Sequence, residues 1–224
     1  MALEAYFKQV SPSLLEKFKQ YPDFFELFDD AQYLPDSYFW QEANLDLNNP
    51  EDAEWFDEAT NYVPQTLEKL KYEQPKEFEK LKSDIPTMLA EGKNSEFDIG
   101  KKWNTLHLML TGSNYSTPVP FLIGKNQQDK LPSITAILGG KTIDYETDNG
   151  FLRFLNADEV KLVAEALSKF SQTHFRKRFT LKGLENGFDN LYDAYKKLLH
   201  YYQNVASQND AMFLFFCLRE IIRS

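Results

Sequence analysis

His107 is the side chain in this sequence whose type and setting are best suited to chemistry. It follows Trp103 by one helical turn, at the edge of an apolar stripe, and an imidazole partly removed from water beside an indole can be tuned to act as a general acid or base. The same placement suits a structural histidine bonded to a backbone carbonyl, and both readings stand. Thr111, one turn further on, and Arg153, on an otherwise apolar stretch, complete a candidate cleft with Trp103 and His107. Arg153 either reaches a carboxylate such as Asp148 or Asp98, or lines the cleft and binds an anion.

Other constellations are weaker. His107, His174, His200 and Cys217 show no i, i+4 pairing and no short spacing, so no metal site is expected. Gly139-Gly140 after an apolar run suits a turn, or a close approach to a ligand. No nucleophile elbow, phosphate loop or paired-carboxylate spacing is present, so no cofactor is expected and an enzyme is not the favoured reading. The run His174-Phe175-Arg176-Lys177-Arg178 could touch RNA, but in an acidic protein it reads first as a solvated basic face after a helix end, where it complements the helix dipole.

The elements that must position these residues follow from periodicity. From Phe97 to Ser113 the chain reads as one helix: Asp98 caps it, Ile99, Trp103, Leu106 and Leu110 form its stripe, and Gly112 closes it. Leu3, Ala5 and Phe7 alternate with Glu4, Tyr6 and Lys8, the pattern of a strand with one face on the core. Phe151 to Leu155 reads as a strand, and Asn156 with Glu159 as the capping box of a following helix, whose buried face is Val160, Val163, Ala164, Leu167 and Phe170. A second long helix spans about Phe188 to Tyr202. The apolar run Ala211 to Leu218 fits a central strand buried on both faces. Ser113 to Pro120 is expected to be a surface loop.

One region differs in kind. From Gln20 to Glu68 there are 13 acidic residues and no Lys or Arg, interleaved with Phe24, Phe25, Phe28, Tyr33, Tyr38, Phe39, Trp40, Trp55, Phe56 and Tyr62. Disordered acidic tails lack such aromatics, so residues 20–92 are expected to form a folded, helix-rich insertion with a negative surface. Asp29, Asp30, Asp52, Asp57, Trp40 and Trp55 are its candidate partner-binding residues.

The 224-residue chain has 42% hydrophobic residues and a formal charge of −9. That suffices for one large core, and the charge argues against binding a phosphate backbone, so nucleic acid is not an expected partner. A lone cysteine, Cys217, excludes an intrachain disulfide, and its apolar setting suggests a buried thiol. With neither a leader pattern nor an apolar run long enough to span a bilayer, the expectation is a cytoplasmic protein without membrane association.

The pattern Phe97-Asp98-Ile99-x-Lys101-x-Trp103-x-x-Leu106-His107-x-x-Leu110-Thr111-Gly112 resembles the helix of the bacterial YfbM-like family, a domain of unknown function. Ala136-Ile137-Leu138-Gly139-Gly140 is similar to the family's Ala-Val-Leu-Gly-Gly turn, and Gly150 to Val160 to its strand-to-helix join. The resemblance covers the first strand and about Asp98 onward. Two positions depart from it: Gly100 stands where relatives carry a second Asp, and Lys182-Gly183-Leu184-Glu185-Asn186-Gly187 replaces a Tyr-Pro-x-x-Trp-like segment.

Together these features predict a single α+β domain over residues 1–224, a mixed sheet of few strands with helices on both faces, carrying the acidic helical insertion at about 20–92. Two functions fit. One is a non-catalytic binding protein whose acidic, aromatic surface captures a basic protein partner, an immunity or antitoxin-like inhibitor being one form. The other is a small-molecule sensor or enzyme with a cleft around Trp103 and His107.

Overall fold

In a computed structural model of the chain, residues 2–43, 45–93, 96–114, 121–148 and 150–219 are described. Strand β1 (Ala2–Val10) leads into helices α1 (Pro12–Gln20), α2 (Phe24–Asp30), α3 (Phe39–Ala43), α4 (Pro50–Thr60), α5 (Tyr62–Glu73), α6 (Pro75–Leu81) and α7 (Ile85–Gly92). Then come β2 (Glu96–Asp98), α8 (Trp103–Thr111), β3 (Ile123–Lys125), β4 (Pro132–Ile134), β5 (Lys141–Thr147) and β6 (Gly150–Leu155). Helices α9 (Ala157–Lys169), α10 (Gln172–Leu181) and α11 (Phe188–Ser207) precede β7 (Ala211–Arg219). The fold class is α+β. Contacts divide the chain into two compact units, Met1–Lys8 with Phe97–Ser224, and Gln9–Glu96.

The larger unit is organised by a sheet in the order β2-β1-β7-β6-β5. Its middle strand, β7, is the apolar run, and Ala211 to Phe216 are all buried, as a strand with two neighbours and two covered faces requires. β6 pairs antiparallel with β7, placing Arg153 opposite Leu214, and with β5, where the register shifts between Thr142 and Glu146. Ala5, Phe7, Met212, Leu214 and Phe216 join Leu106 and Leu110 of α8, Val160 and Val163 of α9, and Leu198 and Tyr202 of α11 in one core. The alternation in β1 does not leave a wet face: Tyr6 and Lys8 are buried. On that face Tyr6 stacks on Phe215 of β7 at 5.7 Å.

Helix α9 begins where its sequence dictates. Asn156 Oδ1 accepts from the Glu159 N–H and Glu159 Oε2 accepts from the Asn156 N–H, both at 2.9 Å, a closed capping box worth about 1 kcal/mol. Helix α8 does not begin at Asp98. Gly100 has φ +56°, outside the helical region, and the Asp98 carboxylate accepts from the Gly100 N–H in a tight turn, so a 3-10 turn at Gly100–Lys102 intervenes before Trp103. The far end matches expectation: Gly112, at φ +76°, donates its N–H to the Leu108 carbonyl at 2.8 Å. Of the loop expected over Ser113 to Pro120, residues 115–120 lie outside the described residues. The basic run His174 to Arg178 is not a helix tail but the body of α10, capped by Ser171.

The smaller unit is helical throughout α1 to α7. Its prolines start helices more than they break them: Pro12, Pro50, Pro75 and Pro86 occupy first-turn positions, where the missing N–H costs no bond. Phe18 of α1 packs on Phe28 of α2 at 5.2 Å, and Gly92 of α7 lies so close to α2 that a Cβ there would fall 2.1 Å from the Phe28 carbonyl oxygen. A second aromatic cluster joins Trp40 to Phe56 at 4.6 Å, Trp40 to Trp55 at 5.3 Å and Tyr33 to Tyr62 at 5.3 Å.

Candidate functional site

Four residues were expected to form a cleft: Trp103, His107, Thr111 and Arg153. Helix α8 presents the first three to the core. His107 is 0% exposed, and burial, aided by the nearby Arg153 charge, lowers its pKa from 6.5 to about 4. At neutral pH the ring is therefore uncharged, and on the order of one molecule in a thousand carries the proton a general acid must deliver. Thr111 is spent on structure, its hydroxyl donating to the His107 carbonyl at 2.8 Å and accepting from the Ser113 N–H at 3.2 Å. Trp103 Nε1 donates to the Leu3 carbonyl at 2.9 Å, tying α8 to β1, and its ring meets Phe216 edge-on at 4.8 Å.

Arg153 reaches neither Asp148 nor Asp98. It is 1% exposed, and its Nη1 donates to the carbonyls of Ile137 and Gly139 at 3.2 and 3.3 Å. Its guanidinium carbon lies 5.3 Å from the centre of the Phe216 ring, a cation–π contact. Nη2 has no hydrogen-bond partner among the described residues, and burial lowers the pKa to about 10, so the group stays charged at neutral pH. The turn at Gly139-Gly140 makes this possible. A Cβ on Gly139 would sit 2.3 Å from the Thr135 carbonyl oxygen, and Gly140 has φ +115° with the Phe154 carbonyl oxygen 2.8 Å from its Cβ position. Both glycines serve close approach of backbone to backbone. Tyr202, fully buried beside Arg153, donates to the Ala136 carbonyl at 2.7 Å.

A second guanidinium is also buried. Arg178, read from sequence as part of a solvated face, is 0% exposed and grips Asp129, with Nε to Oδ2 at 2.8 Å and Nη2 to Oδ1 at 3.1 Å. It also donates to the carbonyls of Met109 at 2.6 Å and Pro132 at 2.9 Å. Burial alone would raise the Asp129 pKa, but the bonds from Arg178 and from the Leu131 N–H outweigh it and hold the carboxyl below its ordinary value. Lys182 Nζ donates to the Gly112 carbonyl at 2.6 Å, and Asn126 Nδ2 to that of Thr111 at 2.9 Å. The C-terminus of α8 is thus clamped by α10 and by the segment around Asn126 to Pro132. The signal was present: Phe175, Arg178 and Phe179 fall at i, i+3 and i+4, one face of a helix.

In the acidic unit the candidate partner-binding residues divide. Asp30 accepts from the Thr66 hydroxyl at 2.6 Å and Asp52 from the Asp46 N–H at 3.2 Å, so both serve the unit's own structure. Asp57 is exposed, Asp29 is half-buried, and Trp40 and Trp55 are half-buried within the aromatic cluster, with Trp40 Nε1 bonded to the Leu34 carbonyl at 3.0 Å. Cys217 is half-buried. Among the described residues no group of three or more His, Cys, Asp or Glu side chains could hold a metal ion, and no helix is long and apolar enough to cross a membrane.

No curated protein matches the chain. A solved structure described as that of a protein of unknown function, YfbM from Escherichia coli, is similar, with a TM-score of 0.47, 16% sequence identity, and coverage of 95% of this chain and 99% of that one. A family model, "Domain of unknown function (DUF1877)", matches residues 1–215, and the chain belongs to that YfbM-like family.

Proposed function

We propose that this is a non-catalytic binding protein whose acidic unit captures a basic protein partner, inhibition of a basic toxin being one form of that role. The observation carrying the proposal is charge segregation: residues 9–96 hold 20 acidic side chains against eight lysines, whereas the remainder holds 14 acidic against 17 basic. A field of one sign on one unit accelerates encounter with an oppositely charged partner. Helix α4 concentrates it, with Glu51, Asp52, Glu54, Asp57 and Glu58 on a helix of which Ala59 is the buried residue. Tyr38 and Leu47, 54% and 55% exposed, add apolar contact area beside these carboxylates in sequence. The reading of a small-molecule enzyme or sensor at Trp103 and His107 is less favoured, because the imidazole is neutral and enclosed and the hydroxyl of Thr111 is already bonded.

The test is capture of native proteins on the immobilised chain and on a Glu54→Gln/Asp57→Asn/Glu58→Gln variant, whose altered side chains are exposed. A net-basic protein retained by the parent, lost by the variant, and associating more slowly as salt rises supports the proposal. Retention of the same proteins by both chains, indifferent to salt, overturns it.

A further inference from the structure

Within the larger unit, an open cleft of about 580 Å³ runs between the segment Phe97–Lys102 and the outer face of α11. That volume falls within the roughly 300–1,000 Å³ of small-molecule sites. Its charge opposes that of the protein as a whole. Lys102, Lys196 and Lys197 converge on it with His200, against the carboxylates of Asp98 and Asp193. Both carboxylates already have donors: Asp98 accepts from the Gly100 N–H, and Asp193 pairs with Lys196 at 2.7 Å. Lys102 is bonded to a neutral group, the Asn190 amide oxygen, and Lys197 has no hydrogen-bond or ion-pair partner among the described residues. Three lysines against two carboxylates leave the cleft with one positive charge in excess, and neither Lys102 nor Lys197 is held in an ion pair among the described residues. All three lysines act on Asp193, whose pKa is lowered first by its bond to Lys196 and then by the charges of Lys196, Lys197 and Lys102.

We propose that this cleft binds a small phosphomonoester, its phosphate between Lys102 and Lys197 and its organic body along the Phe97 wall. A phosphomonoester carries about −1.5 to −2 charges at neutral pH, and Lys102 and Lys197 each supply one ammonium group to it. Lysine serves such a group as a point charge without needing a fixed fork geometry. The cleft exceeds what inorganic phosphate fills, which calls for an attached body. Phe97, stacked on Tyr201 at 4.8 Å with planes 19° apart, is held as a firm wall for it. The site is built from residues of the larger unit and does not depend on partner capture.

Titration of the full chain with phenyl phosphate, inorganic phosphate and phenol, followed by calorimetry and by backbone amide NMR shifts, tests this. Phenyl phosphate is expected to bind saturably, to move the amides of residues 97–102 and 190–200, and to bind about tenfold tighter than either fragment. Lys102→Gln and Lys197→Gln, both exposed positions, are each expected to weaken it about tenfold, and Lys177→Gln on α10 to leave it unchanged. No saturable shift up to about 10 mM, equal affinity for inorganic phosphate, or an equal loss in Lys177→Gln overturns the proposal.

Discussion

Arg178 and Asp129 form a two-point ion pair, Nε to Oδ2 and Nη2 to Oδ1, in which the guanidinium has no exposed surface and the carboxylate is 9% exposed. Removing one member of such a pair leaves the other buried and uncompensated. Asp129→Asn and Arg178→Met are each expected to lower unfolding free energy by about 3–5 kcal/mol in urea denaturation. The double variant should cost clearly less than the sum. Additive losses would show that the two groups act separately.

His107 supplies a pH dependence whose sign follows from its pKa values. The ring titrates near 4 when folded and near 6.5 when unfolded, so between those values the unfolded chain binds more protons and stability rises with pH. From pH 6.5 down to 4 this group should account for a loss on the order of 3 kcal/mol. A His107→Gln variant should show a shallower fall in urea midpoint over that window. Parallel curves for the two proteins would contradict the burial of a neutral imidazole.

Arg153, unlike Arg178, has no carboxylate partner among the described residues. Arg153→Met removes a desolvated charge and leaves the Ile137 and Gly139 carbonyls without their donor. The first change relieves and the second costs, so the expected net loss is about 1–3 kcal/mol, smaller than for Arg178→Met. A loss as large as that of Arg178→Met would mean that Arg153 is paired with a carboxylate.

Gly112→Ala meets two penalties. A left-handed φ costs an alanine roughly 1–2 kcal/mol, and the new Cβ would lie 2.8 Å from both Asn126 Nδ2 and Asp129 Oδ2. Because Arg178 fixes Asp129, the carboxylate cannot swing away freely. The expected loss in thermal or urea stability exceeds about 2 kcal/mol, and Gly183→Ala, where φ is +66° but the Cβ position is open, should lose less.

Local signals were legible where one residue's chemistry settles its own geometry. Asn156 with Glu159, Gly112, and the apolar run of β7 all needed only neighbours in sequence. The start of α8 was misplaced because Asp98 suits both a helix cap and a tight turn, and the sign of φ at Gly100 decides between them. The candidate cleft was misjudged for a different reason. Trp103, His107, Thr111 and Arg153 are polar groups on buried faces, and sequence spacing does not say whether such groups find partners or solvent. Arg153 found carbonyls exposed by a Gly-Gly turn, and Arg178 found a carboxylate 49 residues away. The lysine-lined cleft is drawn from residues near 100 and near 195, a proximity that no local pattern encodes.

Gly92 sets a boundary on how the acidic unit can change by descent. Its φ is not left-handed, so the requirement for glycine comes from crowding, above all by the Phe28 carbonyl oxygen and also by the Ala31 Cβ, 3.0 Å from the Cβ position. Every single-base change in a glycine codon that alters the amino acid adds at least one carbon atom to the α-carbon. Lineages of this protein therefore have no one-step substitute at position 92 that keeps α7 at its present distance from α2, and divergence there must be accompanied by a change in the helix it touches.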